Sequence, residues 1–483
     1  MRKKLLFLFF FAFLATTHII CQSTFTLLIS NPADERPGDI IELSDHSFIL
    51  TSGFFTTSVY QTEQRFFKIN SEGAITHDSI FVNPNGTGTF STLVYINDTN
   101  IFCIGDWVNL NEKDQIWVAG IDSGFNIHWN KKYQTNYNNG LNRAAFVNSQ
   151  GKIIFATSLT NNLPPQNYLY LQEFSSAGDS IRSNIDSSVY SPYIFDIMEF
   201  PVNGIYKAAV MRYATNSSGQ IMTIDSDLNI VVIDSIPNSV YNCNTLKKIN
   251  NSSYYLTGNK YNNGSINYAI MSLNENNDCK KISIIGKNDT VDFAGTVQSL
   301  DFIDPDKIFV GGTSNFSLYG AFGQQNSWYA LSNFDSTLNL RWTKYYGGDA
   351  YYQLQSIVAT QDGGLMLVGT KYDYPTQSYQ LDIYLVKVDE NGLLTNNDHI
   401  HQPPVHDAIV YPNPGSGYLT IESGPQITGA EFRMTSIDGK QIITKTLTER
   451  KTTMETQVLS SGTYVWQILF NNRVVETGKW IRE

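Results

Sequence analysis

Histidines close to one another near residue 400 are the first candidates for metal chemistry. His399 and His401 alternate along the chain, and His406 follows shortly after. An extended segment would place the alternating pair on one face, but no carboxylate or cysteine at ligand spacing accompanies them. We therefore predict no metal site there.

Aspartates recur in short polar turns whose composition is similar to that of calcium-binding loops. The same kind of turn appears at equivalent places along the chain, which favours a structural role, because Asp and Asn side chains bond their own backbone in tight turns. We expect turn chemistry rather than bound calcium. The turns are Asp122-Ser123-Gly124, Asp225-Ser226-Asp227, Asp335-Ser336-Thr337 and Asp389-Glu390-Asn391-Gly392.

Motifs of covalent and phosphate chemistry are absent from the sequence. It contains no Gly-x-Ser-x-Gly elbow, no His-Glu-x-x-His helix, no phosphate loop and no dinucleotide fingerprint. We predict no catalytic, cofactor-binding or metal-binding residue. A site assembled from distant loops would carry no such motif, so an enzyme stays an alternative.

Clustered aromatic residues offer a stacking platform for a sugar or a peptide. We expect them instead to pack between strands. They are Trp328-Tyr329, Tyr345-Tyr346, Tyr351-Tyr352, Tyr372 and Tyr374.

Charge and composition narrow the class of protein. A net charge of −11 argues against nucleic-acid binding, because a protein that binds phosphates needs a basic face. The 28 Tyr and 28 Phe, with a charged fraction of 16%, favour strands and an exported protein with a polar, weakly charged surface. At 483 residues, we expect one large body plus an appendage.

The N-terminus reads as a signal peptide over residues 1–22. Arg2, Lys3 and Lys4 precede the apolar stretch Leu5 to Ala15, which is too short to span a bilayer, and Thr16 to Gln22 form the cleavage region. We predict no transmembrane segment in the mature chain. Lipidation of Cys21 is an alternative, although Ile20 and His18 do not fit a lipobox.

Three cysteines remain after the signal peptide: Cys103, Cys243 and Cys279. An odd number without a close pair implies no disulfide framework. We expect them to be small apolar side chains, with a bridge between Cys243 and Cys279 left open.

A repeat of about 50 residues determines the predicted fold. Each copy has a short apolar strand, preceded by one strand and followed by two more, and none shows a helical period. Four-stranded units of this kind predict an all-β chain with a β-propeller of about seven blades over residues 23–396. The apolar strands are Ser47 to Gly53, Asn100 to Gly105, Lys152 to Thr157, Ile205 to Val210, Tyr254 to Gly258, Lys307 to Gly312 and Gly364 to Gly369.

Closure of the ring is also predicted. The last unit ends in a short segment, and an extra strand, Thr24 to Ile29, precedes the first unit. We expect this strand to complete the last blade and to remove the free sheet edge.

The repeats resemble loose bacterial propeller units. Their signature is an Asp-Gly-Gly turn, an apolar run ending in Gly-Thr, and a strand ending in Lys-x-Asp. Asp362-Gly363-Gly364, Gly369-Thr370 and Lys387-Val388-Asp389 fit it, whereas blades four and five depart from it at the turn. This resemblance implies a fold and not a function.

A polar stretch with Gln402-Pro403-Pro404 predicts a linker over residues 397–408, followed by a small unit at 409–483. Its short, turn-bounded strands predict a compact β-sandwich.

The C-terminal unit resembles the type A sorting domain of the type IX secretion system of the Bacteroidetes. The motifs that carry the resemblance are Tyr411-Pro412-Asn413-Pro414, Asp438-Gly439-Lys440, Leu459-Ser460-Ser461-Gly462-Thr463-Tyr464 and Gly478-Lys479-Trp480-Ile481. The resemblance implies export to the outside of the cell and the secretion machinery as a partner. It also implies that Tyr411, Pro412, Asn413, Pro414, Asp438, Gly439, Gly462, Tyr464 and Lys479 are sorting residues.

Together these features predict a secreted or cell-surface binding module for an unidentified glycan or protein, without a cofactor. The alternatives are an enzyme that degrades extracellular polymers at the propeller channel and a structural part of an outer-membrane assembly.

Overall fold

The described part of the chain falls into two compact units, residues 1–396 and 397–483. Most of the predicted signal peptide and linker, with Cys21, His399, His401 and His406, lies outside it. This computed structural model describes residues 22–30, 34–55, 62–81, 86–109, 113–135, 137–162, 165–186, 192–202, 204–212, 218–236, 240–262, 265–287, 290–318, 320–376, 380–394, 408–423, 429–470 and 473–483.

The first unit consists of seven antiparallel sheets over its described residues, which we call blades 1 to 7 in chain order. Blade 1 contains β2 (Asp34–Glu42), β3 (Phe48–Phe55), β4 (Thr62–Ile69) and β5 (Ile75–Phe81). Blade 2 contains β6 (Gly86–Asn97), β7 (Asn100–Asn109), β8 (Gln115–Ile121) and β9 (Ile127–Gln134). Blade 3 contains β10 (Asn138–Val147), β11 (Ile153–Asn162), β12 (Pro165–Phe174) and β13 (Ser180–Asp186).

The later blades repeat this plan. Blade 4 contains β14 (Pro192–Glu199), β15 (Tyr206–Arg212), β16 (Ser218–Ile224) and β17 (Ile230–Ser235). Blade 5 contains β18 (Val240–Asn250), β19 (Ser253–Asn262), β20 (Ser265–Asn274) and β21 (Cys279–Ile285). Blade 6 contains β22 (Phe293–Ala294), β23 (Leu300–Asp301), β24 (Ile308–Ser314), β25 (Trp328–Phe334) and β26 (Leu340–Gly347), with a short 3-10 helix at Gly320–Phe322. Blade 7 contains β1 (Phe25–Ile29), β27 (Tyr351–Ala359), β28 (Leu365–Tyr372) and β29 (Asp382–Val388).

The burial pattern explains why the middle strands of a blade are apolar and the outer ones alternate. Every residue of β24 and of β28 is buried, because neighbouring blades cover both faces of these strands. The outer strand β9 instead alternates between partly buried and exposed residues. The propeller with about seven blades predicted from the repeat is confirmed.

Packing between blades supplies the core. One cluster joins Ile49 and Phe66 of blade 1 to Phe90, Cys103 and Trp117 of blade 2. A single blade could not bury these side chains alone, so neighbouring blades stabilise one another.

The ring closes through the N-terminal strand. β1 pairs antiparallel with β29, from Phe25 opposite Lys387 to Ile29 opposite Ile383. The predicted completion of the last blade by Thr24 to Ile29 is therefore confirmed.

Blade 6 departs from the single strand expected before its apolar strand, for which the sequence predicts Val297 to Phe302. The first strand of this blade, which is the inner one, is split into β22 and β23. The segment between them turns towards blade 7. There the Val297 and Gln298 N–H groups donate to the Gln355 carbonyl, at 2.9 and 3.1 Å. These bonds to another blade replace part of the expected pairing within blade 6.

The second unit is a sandwich of two sheets. One contains β30 (Ala408–Tyr411), β31 (Tyr418–Ser423) and β34 (Lys451–Glu455). The other contains β32 (Glu431–Ser436), β33 (Gln441–Thr446), β35 (Gly462–Phe470) and β36 (Arg473–Arg482). Buried Phe432, Trp466 and Trp480 fill the space between them.

Candidate functional site

The inner strands of the blades surround a central channel. Two adjoining cavities of about 260 and 280 Å³ lie in it, and all seven blades contribute to their walls. The cavities share Ser91, Thr92, Arg143, Phe195 and Val297. One cavity also touches Arg36 and Gln355, and the other touches Asp39, Asp196 and Lys247.

Bulges shape the channel wall. The pairing between the first two strands shifts register in six blades, for example between Pro37 and Ile40 and between Phe90 and Thr92. The shifted stretches of four blades hold residues that line the channel: Gly38, Ser91, Phe195 and Gln355. An extra residue in one strand bends it and redirects its side chain, and here these residues border the channel.

The cationic side chains of the channel wall are engaged by protein partners. The Arg143 guanidinium forms an ion pair with Asp106, and its Nη1 donates to Ser91 Oγ at 2.8 Å. Lys247 Nζ lies 2.5 Å from Asp301 Oδ1. Hydroxyl, amide and apolar groups line much of the remaining wall, together with Arg36, whose side chain is 41% exposed and pairs with Asp34.

Asp39 and Asp196 are the channel residues with the most unusual chemistry. Asp39 accepts the N–H groups of Ile40 and Leu93, each at 2.8 Å. Asp196 accepts those of Ile197 and Leu246, at 2.8 and 2.7 Å. Each carboxylate thus joins its own blade to the next one.

Desolvation controls the pKa values of both carboxyl groups. Each residue as a whole keeps some exposure, but its carboxyl group is enclosed by protein. This burial raises the pKa of Asp39 to about 6 and that of Asp196 to about 7, against the opposing effect of the N–H donors and, for Asp196, of Lys247.

These raised pKa values predict a pH-dependent stability of the propeller. Relative to the unfolded chain, the contribution of each group is fully present below its ordinary pKa near 3.8 and is lost as the pH rises through about 6 and about 7. We expect the fall in melting temperature between pH 4.5 and 7.5 to be smaller by a few degrees in the Asp39→Asn, Asp196→Asn double variant, measured by calorimetry.

Asp335→Asn is the matched control for this measurement. Asp335 is partly exposed, and its bonds from the Asn339 N–H and the Thr337 hydroxyl lower its pKa to about 2, so it does not titrate in this range. An unchanged pH slope in the double variant would contradict the assignment.

The aspartate turns that are similar to calcium loops form hydrogen bonds to their own backbone. Asp122 Oδ1 accepts the N–H groups of Gly124 and Asn126, and Asp335 Oδ1 accepts those of Thr337 and Asn339. Asp225 and Asp389 accept in the same way. Among the described residues, no group of three or more His, Cys, Asp or Glu side chains is arranged to hold a metal ion.

The clustered aromatics serve mostly as packing. Tyr329, Tyr351, Tyr352 and Tyr372 are buried, whereas Tyr345 is exposed. Cys103 and Cys243 are buried thiols whose pKa values are raised by burial, Cys279 is half-buried, and no disulfide joins any two of the three.

Motif reasoning missed the channel residues Asp39, Arg143 and Asp196. A signal for two of them exists in the sequence, since an Asp followed by an apolar residue recurs in inner strands as Asp39-Ile40, Asp196-Ile197 and Asp301-Phe302. Asp301 repeats the contact too, because it accepts the N–H groups of Phe302 and Ala359.

The predicted sorting residues of the second unit lie at one end of the sandwich. Asn413 Nδ2 donates to the Lys479 carbonyl at 2.7 Å, and the Ile481 N–H donates to Asn413 Oδ1 at 3.0 Å. Trp480 Nε1 donates to the Pro412 carbonyl at 2.7 Å. The opening and closing motifs, which are distant in sequence, therefore form one contact.

The two middle motifs reach the same end. Ser436 lies opposite Tyr464 in the sheet, so the turn with Asp438 and Gly439 lies beside Gly462. Tyr464 OH donates to the Ser460 carbonyl at 2.8 Å, and Gly462 lies opposite Arg482. We call this region the motif end of the sandwich.

Comparison with known proteins identifies the second unit. Residues 409–483 match the family described as a secretion system C-terminal sorting domain. The chain therefore carries a type IX sorting domain, which indicates export to the cell surface or the extracellular space. The corresponding sequence prediction is confirmed. No helix among the described residues is long and apolar enough to cross a membrane.

Solved structures with similarity to the chain are distant from it. Drosophila semaphorin 2a is 8% identical, with a TM-score of 0.41, over 96% of this chain and 98% of that one. Trypanosoma rangeli sialidase, in complex with 2,3-difluorosialic acid, is 9% identical, with a TM-score of 0.43, over 73% of this chain and 53% of that one.

A neuraminidase-like protein from A/bat/Guatemala/164/2009 is 8% identical, with a TM-score of 0.40, over 79% of this chain and 98% of that one. No curated protein matches the chain. The propeller assignment follows from the strand pairing described above.

Proposed function

We propose that the propeller is a non-catalytic binding module that holds part of an extracellular glycan or protein in its central channel. The supporting observation is the state of the ionisable groups on the channel wall. Arg143 and Lys247 are paired with carboxylates, and Asp39 and Asp196 accept backbone N–H groups with both oxygens. Such groups shape a wall, whereas hydrolysis needs an acid and a base directed at the substrate.

The size and lining of the channel favour a small polar unit of a larger ligand. Cavities of about 260 and 280 Å³ lie just below the range of roughly 300–1,000 Å³ that is typical of drug-sized ligands. Ser91, Thr92 and Gln355 supply hydrogen-bonding groups, while Phe195 and Val297 supply apolar surface. This mixture suits one sugar ring or one side chain.

The organisation of the whole chain forms part of the proposal. Residues 1–22 act as a removable signal peptide, 397–408 as a linker, and 409–483 deliver the propeller to the secretion machinery. The role of the sorting residues from Tyr411 to Lys479 is likewise proposed. Their convergence at the motif end supports it.

An enzyme that degrades extracellular polymers is the second candidate. Asp39 and Asp196 favour it, because carboxyl groups with raised pKa values beside one cavity are typical of acid and base catalysts. The backbone N–H group bonded to each oxygen of both carboxylates argues for the binding module instead.

Purified chain from Ser23 onwards, applied to an array of glycans and extracellular polymers, separates the two candidates. Retention without breakdown products supports the binding module, and breakdown products support the enzyme. Neither retention nor products would contradict both and leave a structural role in an outer-membrane assembly.

Filling the channel tests the location of the site. Val297 is 43% exposed and borders both cavities, so Val297→Trp is expected to reduce retention at least tenfold by occupying the ligand space. Val231→Trp is the control, because Val231 is exposed on the outer strand β17. Equal retention by the two variants would place the ligand elsewhere.

A further inference from the structure

Exposed apolar side chains of the sorting domain are concentrated at its motif end. Ile437 is 81% exposed and Val458 is 92% exposed, each in a tight turn. Tyr418 and Ile481 are exposed as well. Among the residues of this unit whose side-chain burial the structure describes, which leaves out 409, 470 and 473–476, these are the exposed large apolar side chains, and strand pairing places the four of them at the same end.

The register of the strands establishes this placement. Tyr418 begins β31 next to Gly417, whose carbonyl accepts the Thr456 N–H, so Tyr418 adjoins the turn with Val458. Ile481 lies opposite Thr463, and its carbonyl accepts the Gly415 N–H. Ile437 follows Ser436, which lies opposite Tyr464.

The turns themselves do not require these residues. The Ser436 side chain bonds Asp438, and the Gly439 N–H donates to the Ser436 carbonyl, so polar residues and glycine form the hairpin turn. A β-branched residue in such a turn is unfavourable, and its exposure to water gains nothing for the fold.

The opposite end of the sandwich is different. Its described turn between β33 and β34 exposes Thr448, Glu449 and Arg450, which are all polar. The two turns at the motif end therefore expose apolar side chains, whereas the described turn at the opposite end exposes polar ones. Concentration of apolar groups in one place is typical of an interaction surface.

We propose that the motif end, through Ile437, Val458, Tyr418 and Ile481, is the surface by which the sorting domain docks on a protein of the secretion machinery. The proposal rests on the sorting role of residues 409–483. The partner is a protein with an apolar patch that accepts the two turn tips. It makes a small contact, as is typical of transient complexes.

The charges around the apolar tips favour a protein partner over a lipid surface. Asp438 and Glu483 lie at this end together with Lys440, Lys479 and Arg482. Mixed charges around an apolar centre are typical of the rim of a protein interface. Binding to an anionic membrane would favour a cluster of Lys and Arg without acidic neighbours, whereas here two acidic side chains lie among three basic ones.

The test is export of the full chain in a bacterium with a working type IX system. We expect Ile437→Asp with Val458→Asp to reduce the extracellular and surface-bound protein at least tenfold, with accumulation in the periplasm. The control is Thr446→Asp with Thr448→Asp, two exposed residues at the opposite end, which is expected to be exported normally. Equal export of both double variants would overturn the proposal.

Three further experiments keep the outcomes distinct. Deletion of residues 409–483 tests the sorting role, which is wrong if the shortened chain is still exported. If only the docking proposal is wrong, the shortened chain is not exported, whereas the Asp pair is exported normally. Calorimetry and the milder pair Ile437→Asn with Val458→Asn show whether the sandwich still folds. Flotation of the purified chain with phosphatidylethanolamine and phosphatidylglycerol vesicles, if lost in the Asp pair, would overturn a protein partner in favour of lipid.

Discussion

A chain that begins at Asp34, and so lacks β1, is expected to lose the single cooperative unfolding transition of the propeller. β1 pairs with β29 along its whole length, and its residue Ile29 is buried in a cluster with Ile40 of blade 1 and Leu385 of blade 7. Without β1, blade 7 loses its outer strand and blade 1 loses packing contacts. The edge of β29 then faces water.

The expected loss is large compared with the stability of a typical domain. Each backbone hydrogen bond contributes roughly 0.5–1.5 kcal/mol, and burial of a side chain such as Ile29 contributes roughly 1.5–3 kcal/mol. A loss of at least about 5 kcal/mol follows, against a typical total of roughly 5–15 kcal/mol. Calorimetry and limited proteolysis, compared with the chain that begins at Ser23, measure it.

Point variants refine this test. Ile29→Ser removes a buried side chain of β1, whereas Leu28→Ser changes its exposed neighbour. We expect a clear fall in melting temperature only for Ile29→Ser. A chain from Asp34 that melts as cooperatively and at the same temperature as the chain from Ser23 would contradict closure by β1.

The regular parts of the fold were predictable because they follow from local patterns. A middle strand such as β28, buried on both faces, needs an unbroken apolar run, and this run marked each repeat. The closing strand was predictable as well, since an extra strand before the first unit has a natural partner in an incomplete last blade.

The channel was not predictable, because its shape comes from register shifts. The bulge that brings Phe195 to the channel depends on how β14 pairs with β15, and the position of Val297 depends on bonds to blade 7. Neither is visible in the alternation of a single strand. Asp39, Asp196 and Asp301 each precede an apolar residue in the sequence, but this pattern alone does not show that they accept N–H groups of the next blade.

The motifs of the sorting domain were readable as a set but not as a surface. Asn413 and Lys479 meet only because the order of the strands brings both ends of the unit together. Ile437 and Val458 belong to no motif, so only their exposure reveals them.

The repeat signature itself has a structural role that can be tested. Asp362 of the Asp-Gly-Gly turn, which is partly buried, and Lys387 of the Lys-x-Asp segment, which is buried, form an ion pair, with Lys387 Nζ 2.8 Å from Asp362 Oδ2 and 3.0 Å from Oδ1. The Lys387 side chain is 2% exposed and the Asp362 side chain is 11% exposed. The Asp362 carboxylate also accepts the Gly364 N–H at 2.9 Å, which fixes the turn.

We expect Lys387→Met to destabilise the propeller by about 3–5 kcal/mol at neutral pH, because it leaves the Asp362 carboxylate buried without a counter-charge. Burial acts to raise the pKa of Asp362, but Lys387, Thr360 and the turn N–H lower it overall. The contribution of this group is thus present above its unfolded pKa and is lost as the pH falls through the lowered folded value.

The pH dependence distinguishes a lost charge from lost packing. In Lys387→Met the burial of Asp362 is no longer opposed by a cation, so the carboxyl group takes up a proton more readily, and the deficit relative to the unchanged chain is expected to shrink between pH 7.5 and 4. Addition of Asp362→Asn, which keeps an acceptor for Gly364, should recover most of the stability. Urea unfolding at both pH values measures these differences.

Lys131→Ala provides the comparison with an exposed pair, since its partner Asp179 is largely exposed and such pairs contribute little to stability. If Lys387→Met destabilises the protein no more than Lys131→Ala does, the signature residues do not stabilise the blade through their charges. If Lys387→Met causes the larger loss of stability, the signature residues are needed for the stability of the blade. A ligand is then to be sought at the channel and at the motif end, because the residues there are not part of the repeat signature.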